Sequence, residues 1–137
     1  MGGVKPWNSP VFYAVDENYT FYWYSRKTTQ HSKNIVQNSE VFVVIFNSSP
    51  KETSGEAVYI QGKAYEITPD EIIHATTIYA KKAATNDEER EQLQTTEDFL
   101  GNSELRMYKF VPEKFYINSA GKWKGKWLDK RIEVKFT

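Results

Sequence analysis

The chain has 137 residues, of which 18 are Lys or Arg and 18 are Asp or Glu, so its formal charge is zero. It contains no Cys and two His, which excludes disulfide frameworks, iron–sulfur clusters, thiol nucleophiles and thiolate zinc sites, and no metal site is expected. The length predicts a single domain over residues 1–137.

The sequence contains no segment typical of a membrane span or a signal peptide. Its longest unbroken apolar run is Val41–Phe46, far short of the ~18 residues that a span requires. The N-terminal residues include no apolar stretch of the signal-peptide kind. We therefore expect a cytoplasmic protein without a membrane partner, and the zero net charge gives no electrostatic reason to expect a nucleic-acid partner.

The first half of the chain has the composition of β-strands. Two β-branched and aromatic runs, Val11–Val15 and Tyr19–Tyr24, flank Asp16–Asn18 and predict a hairpin. Val41–Phe46 is apolar at every position, which predicts a central strand buried on both sides. Ala57–Ile67 predicts a further strand, in which Gly62 is typical of a bulge or a close approach. The residues 47–55 between them have the composition of a loop.

A polar segment, Ser25–Asn38, separates the second and third predicted strands. Thr28 or Thr29 can cap a short helix here, and Asn38 is a suitable stop.

The next helix has a strong start at Thr68–Glu71, with a capping Thr, a Pro at the first helical position and a Glu at the third. Its amphipathic pattern runs to about Lys82. His74 lies one turn into this helix and is expected to be structural.

The acidic residues 86–97 are helical by propensity, and residues 97–100 predict a short helix capped by Gly101. Three further strands are predicted after it, at Leu105–Val111, Phe115–Asn118 and Arg131–Phe136. Strands followed by helices and again by strands predict an α+β fold that is mainly β.

Two segments are candidates for binding. In residues 25–34 hydroxyl and amide side chains meet a helix start, with Arg26, Lys27, His31 and Lys33 close by, a combination that can hold a phosphate. A capped helix on a solvated surface explains the same residues. In Pro6–Val11 two prolines leave backbone groups that could pair with a planar heterocycle, although an ordinary edge strand protected by proline explains the same residues. Motifs for dinucleotides, P-loop phosphates, zincins and α/β-hydrolases are absent.

Several segments in consecutive order together resemble the pyridoxamine 5'-phosphate oxidase-like family of FMN-binding split barrels. They are Pro6–Tyr13, Phe21–Ser25, Gln30–Ile35, Val41–Phe46 and Gly55–Ile60. The match covers about residues 5 to 68, and the later part matches loosely.

The resemblance implies a six-stranded Greek-key split β-barrel with short flanking helices. It also implies a homodimer that holds FMN in the groove between protomers. Contacts to the isoalloxazine ring are implied at Asn8, Ser9, Pro10 and Val11. Contacts to the phosphate are implied at Tyr24, Ser25, Thr29, Gln30 and His31.

The chain departs from the family at two places. The oxidases carry an Arg-Lys pair where this chain has Gln30-His31, so the phosphate charge is expected to be met by His31, Lys33, Arg26 or Lys27. The usual N-terminal helix and first strand, which precede the proline-containing segment, are expected to be absent.

The segment Gly121–Trp127 interleaves lysines with tryptophans. Such a pattern suits a single-stranded nucleic-acid groove or a hairpin with exposed lysines and with tryptophans in the core or a dimer interface. The resemblance implies that a C-terminal Trp and Arg reach the partner's flavin, which indicates Trp123 or Trp127 together with Arg131.

The resemblance therefore implies an FMN-binding flavoprotein, a flavin-dependent oxidoreductase acting on a small molecule, and the sequence offers no identifiable catalytic acid or base. The alternatives are a module that binds or senses a flavin or haem without turnover and, ranked last, an OB-like binder of single strands.

Overall fold

The computed structural model describes residues 5–46 and 57–136, with the backbone alone at 119–123 and 127–129. The segment predicted as a loop at 47–55 lies outside the described residues.

The described chain forms a six-stranded antiparallel sheet with a few short helices, which confirms the mainly β prediction. The strands are β1 Ala14–Val15, β2 Phe21–Arg26, β3 Glu40–Phe46, β4 Ala57–Glu66, β5 Leu105–Trp123 and β6 Lys126–Val134. Their order is β1-β2-β5-β4-β3, and β6 pairs with β5.

Two helices begin at their predicted capping residues, and the first of them also ends at its predicted stop. Helix α1, Gln30–Gln37, is capped by Thr29 and ends at Asn38. A 3₁₀ turn, Pro69–Glu71, with the predicted capping box at Thr68, leads into α2, Ile72–Ala83. Among the described helices, none is long and apolar enough to cross a membrane.

The acidic segment forms less helix than its propensity predicts. Only Asp87–Glu91 is helical (α3), and the next turn is a 3₁₀ segment at Thr96–Phe99. Gly101 has a φ of 62° in the left-handed region, as the predicted glycine cap requires. Propensity alone cannot extend a helix whose residues, apart from the half-buried Leu93, have no apolar face against the core.

The strands differ from the predictions at three places. β1 has two residues instead of five. Residues 105–123 form one strand that continues through Pro112, where two were predicted. β6 spans Lys126–Val134, where Arg131–Phe136 was predicted. The turn between β5 and β6 has positive φ at Lys124 and Gly125, as two-residue turns between twisted strands require.

The prediction that Val41–Phe46 is buried on both sides is wrong for the single chain. β3 is the last strand in the sheet order, and its burial alternates. The side chains of Phe42, Val44 and Phe46 are 48, 46 and 67 % exposed. A strand that is apolar on both faces needs cover on both, and the described residues of this chain cover one.

The chain divides into two compact units. In the first, residues 5–40 and 63–111, one face of the β2–β5 pair packs on α2 and the second 3₁₀ turn. Its core residues are Tyr22, Ile67, Ile72, Ala75, Phe99 and Met107. The other face carries Phe21, Trp23 and Ser25 of β2 opposite Phe110, Tyr108 and Arg106 of β5.

The second unit, residues 41–46, 57–62 and 112–136 of the described chain, contains most of β3, the first part of β4, most of β5, and β6. Ile60 is its buried centre, and Phe115 meets Phe136 edge to face with ring centroids 4.9 Å apart.

The β1–β2 turn of the first unit is held by the carboxylate of Asp16, whose side chain is 7 % exposed. Its oxygens accept hydrogen bonds from the N–H groups of Asn18 and Thr20 and from the hydroxyl of Tyr22, and lie 3.2 Å from Nε2 of His74. Burial alone would raise the pKa of Asp16, but the hydrogen bonds outweigh it and hold that pKa below its usual value. His74 thus has the structural role that was expected.

We expect Asp16→Asn to lower the free energy of unfolding by about 1–3 kcal/mol at pH 7, because it removes the charged acceptor of three hydrogen bonds. The lowered pKa makes this advantage of the wild type present above about pH 4 and lost as the pH falls through the pKa of folded Asp16. Urea denaturation at pH 7 and pH 3 checks this, with the exposed Glu17→Gln as control. An Asp16→Asn variant as stable as the control at pH 7 would show that the carboxylate does not hold the turn.

Candidate functional site

The corner between β2 and α1 gathers the polar side chains of the predicted phosphate site. β2 ends at Arg26, and the turn is closed by two hydrogen bonds, from the N–H of Lys27 to the carbonyl of Glu104 (2.8 Å) and from the N–H of Thr29 to the carbonyl of Arg26 (3.2 Å). Thr29 then caps α1 by accepting a hydrogen bond from the N–H of Ser32. This turn brings the end of β2 against the first turn of the helix.

Four side chains meet there, and we call them the polar corner: Ser25, Thr29, His31 and Ser32. Nε2 of His31 lies 2.9 Å from Oγ of Ser25 and 3.4 Å from Oγ1 of Thr29. Oγ of Ser32 lies 2.8 Å from Oγ1 of Thr29. Ser32 is fully buried, and the other three are half-buried.

The polar corner suits an anion. The N–H groups of Gln30 and His31 open the helix and have no hydrogen-bond partner among the described residues, as expected at a helix start. N–H groups at a helix start, together with the positive end of the helix dipole, attract an anion. Arg26, Lys27 and Lys33 are exposed around it. Burial lowers the pKa of His31, so its ring is neutral at pH 7 and contributes hydrogen bonds rather than charge.

The lowered pKa of His31 predicts a pH dependence of stability. An unfolded His takes up its proton near pH 6.5, whereas the folded one resists it, so the contribution of neutral His31 is present above that pH and lost below it. We expect the free energy of unfolding of the wild type to fall between pH 7 and pH 5 relative to His31→Gln. Urea titrations across this range check it, and parallel curves for the two proteins would contradict it.

Among the described residues, two buried side-chain polar atoms have no hydrogen-bond partner of normal geometry, Nε1 of Trp23 and the hydroxyl of Tyr108, which belong to register partners in β2 and β5. Burial raises the pKa of Tyr108, and Ser32 acts against that increase. Neither Ser32 nor Tyr108 was singled out from the sequence. The only pattern that could have indicated Ser32 is its position three residues after the capping Thr29.

Three of the predicted phosphate contacts lie outside the polar corner. Tyr24 points to the opposite face of the sheet, where its ring packs 5.3 Å from those of Tyr79 and Phe99. Alternation along a strand forces this separation from Ser25. The side chain of Gln30 donates a hydrogen bond to Asn34, and Lys33 is exposed.

Residues 5–13, which include the segment predicted to contact a flavin ring, have no regular secondary structure. Their first residue contacts α1 and their last residues contact α2. At one end the side chain of Asn34 holds the backbone of Lys5 through two hydrogen bonds. At the other end Phe12 meets Tyr79 edge to face and Nζ of Lys82 lies 4.6 Å from the ring centre of Tyr13. Between these anchors, Ser9 is half-buried and its neighbours Asn8, Pro10 and Val11 are exposed.

The two C-terminal site residues lie in β6 of the second unit. The guanidinium of Arg131 lies over two aromatic rings: its Cζ is 3.9 Å from the ring centre of Tyr59 and 5.6 Å from that of Phe42. The backbone of Trp127 pairs with Lys122, while the side chains of Trp127 and Trp123 lie outside the described residues. Their predicted contacts with a partner's flavin stay predictions.

Neither a protein-family model nor a curated protein matches the chain. Solved structures do match. A protein of unknown function from Agrobacterium tumefaciens has a TM-score of 0.62 at 20% identity, over 83% of this chain and 45% of that one. A pyridoxamine 5'-phosphate oxidase-related, FMN binding protein from Nostoc punctiforme has a TM-score of 0.55 at 9% identity, over 93% and 80%. A heme binding protein from Mycobacterium smegmatis has a TM-score of 0.57 at 12% identity, over 92% and 47%.

These matches confirm the predicted resemblance at the level of the fold, which is that of the pyridoxamine 5'-phosphate oxidase-like split barrels. The chain spans less than half the length of the Agrobacterium and Mycobacterium proteins.

Proposed function

We propose that this protein binds FMN and uses it as a flavin-dependent oxidoreductase acting on a small molecule. The observation that carries the proposal is the polar corner, where Oγ of Ser25 lies 2.9 Å from Nε2 of His31 beside the free N–H groups that open α1. Hydroxyls, an imidazole and helix N–H groups are the donors that complement a phosphate dianion. The FMN-binding neighbour of the same fold supports it.

The residues present fit the phosphate end of FMN. In this proposal Ser25 donates to a phosphate oxygen while Nε2 of His31 holds the serine oxygen in place, and the N–H groups of Gln30 and His31 provide two further donors. Arg26, Lys27 and Lys33 supply the charge that the neutral His31 does not. The half-buried Ser9 and the exposed Asn8, Pro10 and Val11 are the proposed neighbours of the ring. FMN itself supplies the redox chemistry, and the chain supplies binding and orientation.

Absorbance spectra test this directly. Protein purified without added cofactor, or after incubation with FMN and gel filtration, is expected to carry the absorbance of a bound flavin. Protein that retains no flavin in either experiment would overturn the proposal.

The haem-binding neighbour makes a haem module the second candidate. Haem needs an axial ligand, and both histidines of the chain have Nε2 within hydrogen-bond distance of a neighbour, Ser25 for His31 and Asp16 for His74. Because both imidazole rings already have a hydrogen-bond partner, FMN is favoured over haem as the ligand. A haem spectrum in the purified protein would make haem the better candidate.

We also propose that the protein is a homodimer. The exposed apolar face of β3, formed by Phe42, Val44 and Phe46, belongs to the second unit, and a solvated strand would carry polar residues there. A second copy of the same chain offers an identical face, as two-fold symmetry requires. Sedimentation equilibrium is expected to give twice the chain mass at micromolar concentration, and a monomer with FMN bound would contradict the proposal.

A further inference from the structure

Asn34 lies in the middle of α1, and its side-chain amide binds a segment that is distant in the chain. Its Nδ2 donates a hydrogen bond to the carbonyl oxygen of Lys5 (2.6 Å), and its Oδ1 accepts one from the N–H of Lys5 (3.3 Å). Oδ1 also accepts a hydrogen bond from the side chain of Gln30 (2.7 Å), one turn earlier in the helix. Because asparagine is less favourable than alanine inside a helix, this position loses helix stability and gains a contact with the N-terminal segment.

The two hydrogen bonds hold the backbone of Lys5 rather than its side chain. A residue presents its N–H and its carbonyl to the same partner when its backbone is extended, as in the hydrogen-bonded pairs of an antiparallel sheet. The residue before a proline is restricted to this same region, and Pro6 follows Lys5. The amide of Asn34 therefore binds a conformation that the sequence already favours, and it sets the direction in which the chain leaves α1.

The chain beyond Lys5 is stiff, so this direction is carried to the residues proposed to contact the flavin ring. Pro6 and Pro10 have fixed φ angles, and Lys5 and Ser9, which precede them, are restricted as well. Aromatic contacts with α2 hold the far end of the segment. Residues 6–11 are thus held on both sides and have little conformational freedom between the two attachments.

We propose that Asn34 is a positioning residue for the ring end of FMN. It holds residues 6–11 where they form one wall of the ring site, so that binding does not first have to order this segment. Gln30 completes the link, because its N–H belongs to the helix start proposed to bind the phosphate and its side chain holds the amide of Asn34. One helix thus places both ends of the flavin, the phosphate at its first turn and the ring through Asn34.

This inference rests on the proposed binding of FMN, and it gives Asn34 a role that differs from that of Ser25 and His31. A residue of the phosphate site contributes to the binding of FMN and not to that of riboflavin, which has no phosphate. A residue that positions the wall of the ring site contributes equally to both flavins. The ratio of the two dissociation constants therefore distinguishes the two roles.

The test compares Asn34→Ala with the wild type in the Kd for FMN, the Kd for riboflavin, the visible spectrum of the bound flavin and the Tm of the ligand-free protein. We expect both Kd values to rise by the same factor, roughly 10-fold for the loss of two neutral hydrogen bonds. The visible band of the bound flavin should shift toward that of free flavin in water, because the wall beside the ring is no longer fixed. The Tm should change little, since alanine favours the helix and both hydrogen bonds are exposed.

Lys5→Ala is the matched control, because it removes the lysine side chain and keeps both backbone groups that Asn34 binds. It should leave both Kd values and the flavin spectrum as in the wild type. Gln30→Ala is a second variant, which decides the question if Asn34→Ala does not fold. It removes the hydrogen bond that orients the amide and keeps the N–H at the helix start, so it should weaken both flavins equally and by less than Asn34→Ala.

A loss confined to FMN would place Asn34 at the phosphate, and unchanged binding of both flavins would leave its amide a structural contact. Either result would overturn the inference while the proposed function stands. Weakening by Lys5→Ala as large as that by Asn34→Ala would also overturn it, because the side chain of Lys5 would then be responsible. A wild-type protein that binds neither flavin would instead overturn the proposed function and, with it, this inference.

Discussion

Replacing Ser25 and His31 together with Ala is expected to weaken FMN binding by about 2–4 kcal/mol, because it removes a hydrogen bond to the charged phosphate, which contributes about 1.5–3 kcal/mol, together with the ring that orients the donor. This corresponds to a roughly 30- to 1,000-fold higher Kd. The two side chains lie 2.9 Å apart at the start of α1, so their loss removes a hydroxyl donor and the ring that orients it. The measurement is a titration of FMN followed by flavin fluorescence.

Riboflavin separates a phosphate contact from a general loss of binding, because it has the same ring system and no phosphate. Its Kd should hardly change in the double variant. Thr28→Ala is a matched control, as Thr28 is exposed in the same turn and should leave both ligands unaffected. Equal losses for FMN and riboflavin would place Ser25 and His31 away from the phosphate. Unchanged binding of both would leave a capped surface helix as the better interpretation of the polar corner.

The substitution Val44→Asp is expected to convert the proposed dimer to a monomer. Val44 lies in the middle of the exposed face of β3, and a carboxylate there would have to be buried without a partner in the dimer. We expect the dimer dissociation constant to rise at least about 100-fold, measured by analytical ultracentrifugation across a dilution series.

The control for this substitution is Val36→Asp, which places the same charge on an exposed valine of α1, outside the β3 face. It should leave the dimer intact. A Val44→Asp protein that remains dimeric would show that another surface joins the copies, and a dimer broken equally by both substitutions would indicate a general effect of the added charge.

Local features of the fold were predictable where single residues determine the geometry. Thr29 and Asn38 mark the two ends of α1, because a capping residue affects only the adjacent turn of the helix. Thr68 and Glu71 start the next helix in the same way. The exposure of Val44 was not predictable, since an apolar strand is compatible with a central position or with an edge that another chain covers. Sequence order alone does not distinguish these.

The candidate site was predictable in part. Ser25, Thr29 and His31 meet because a strand end and the helix start after it are neighbours in the chain. Tyr24 was predicted to lie beside Ser25 because the two are neighbours in sequence. Side chains alternate between the faces of a strand, however, so the ring of Tyr24 packs in the core on the opposite face. The stacking of Tyr108 on Trp23 could not be predicted, because it depends on the pairing of β2 with β5 across about 80 residues of chain.

The central claim is that the chain binds FMN through its phosphate, and equilibrium dialysis of the wild-type protein against FMN, riboflavin and haem in parallel tests it most directly. We predict that the protein retains one FMN per chain, binds riboflavin more weakly and retains no haem. Retention of haem in preference to FMN, or equal retention of FMN and riboflavin, would contradict the claim.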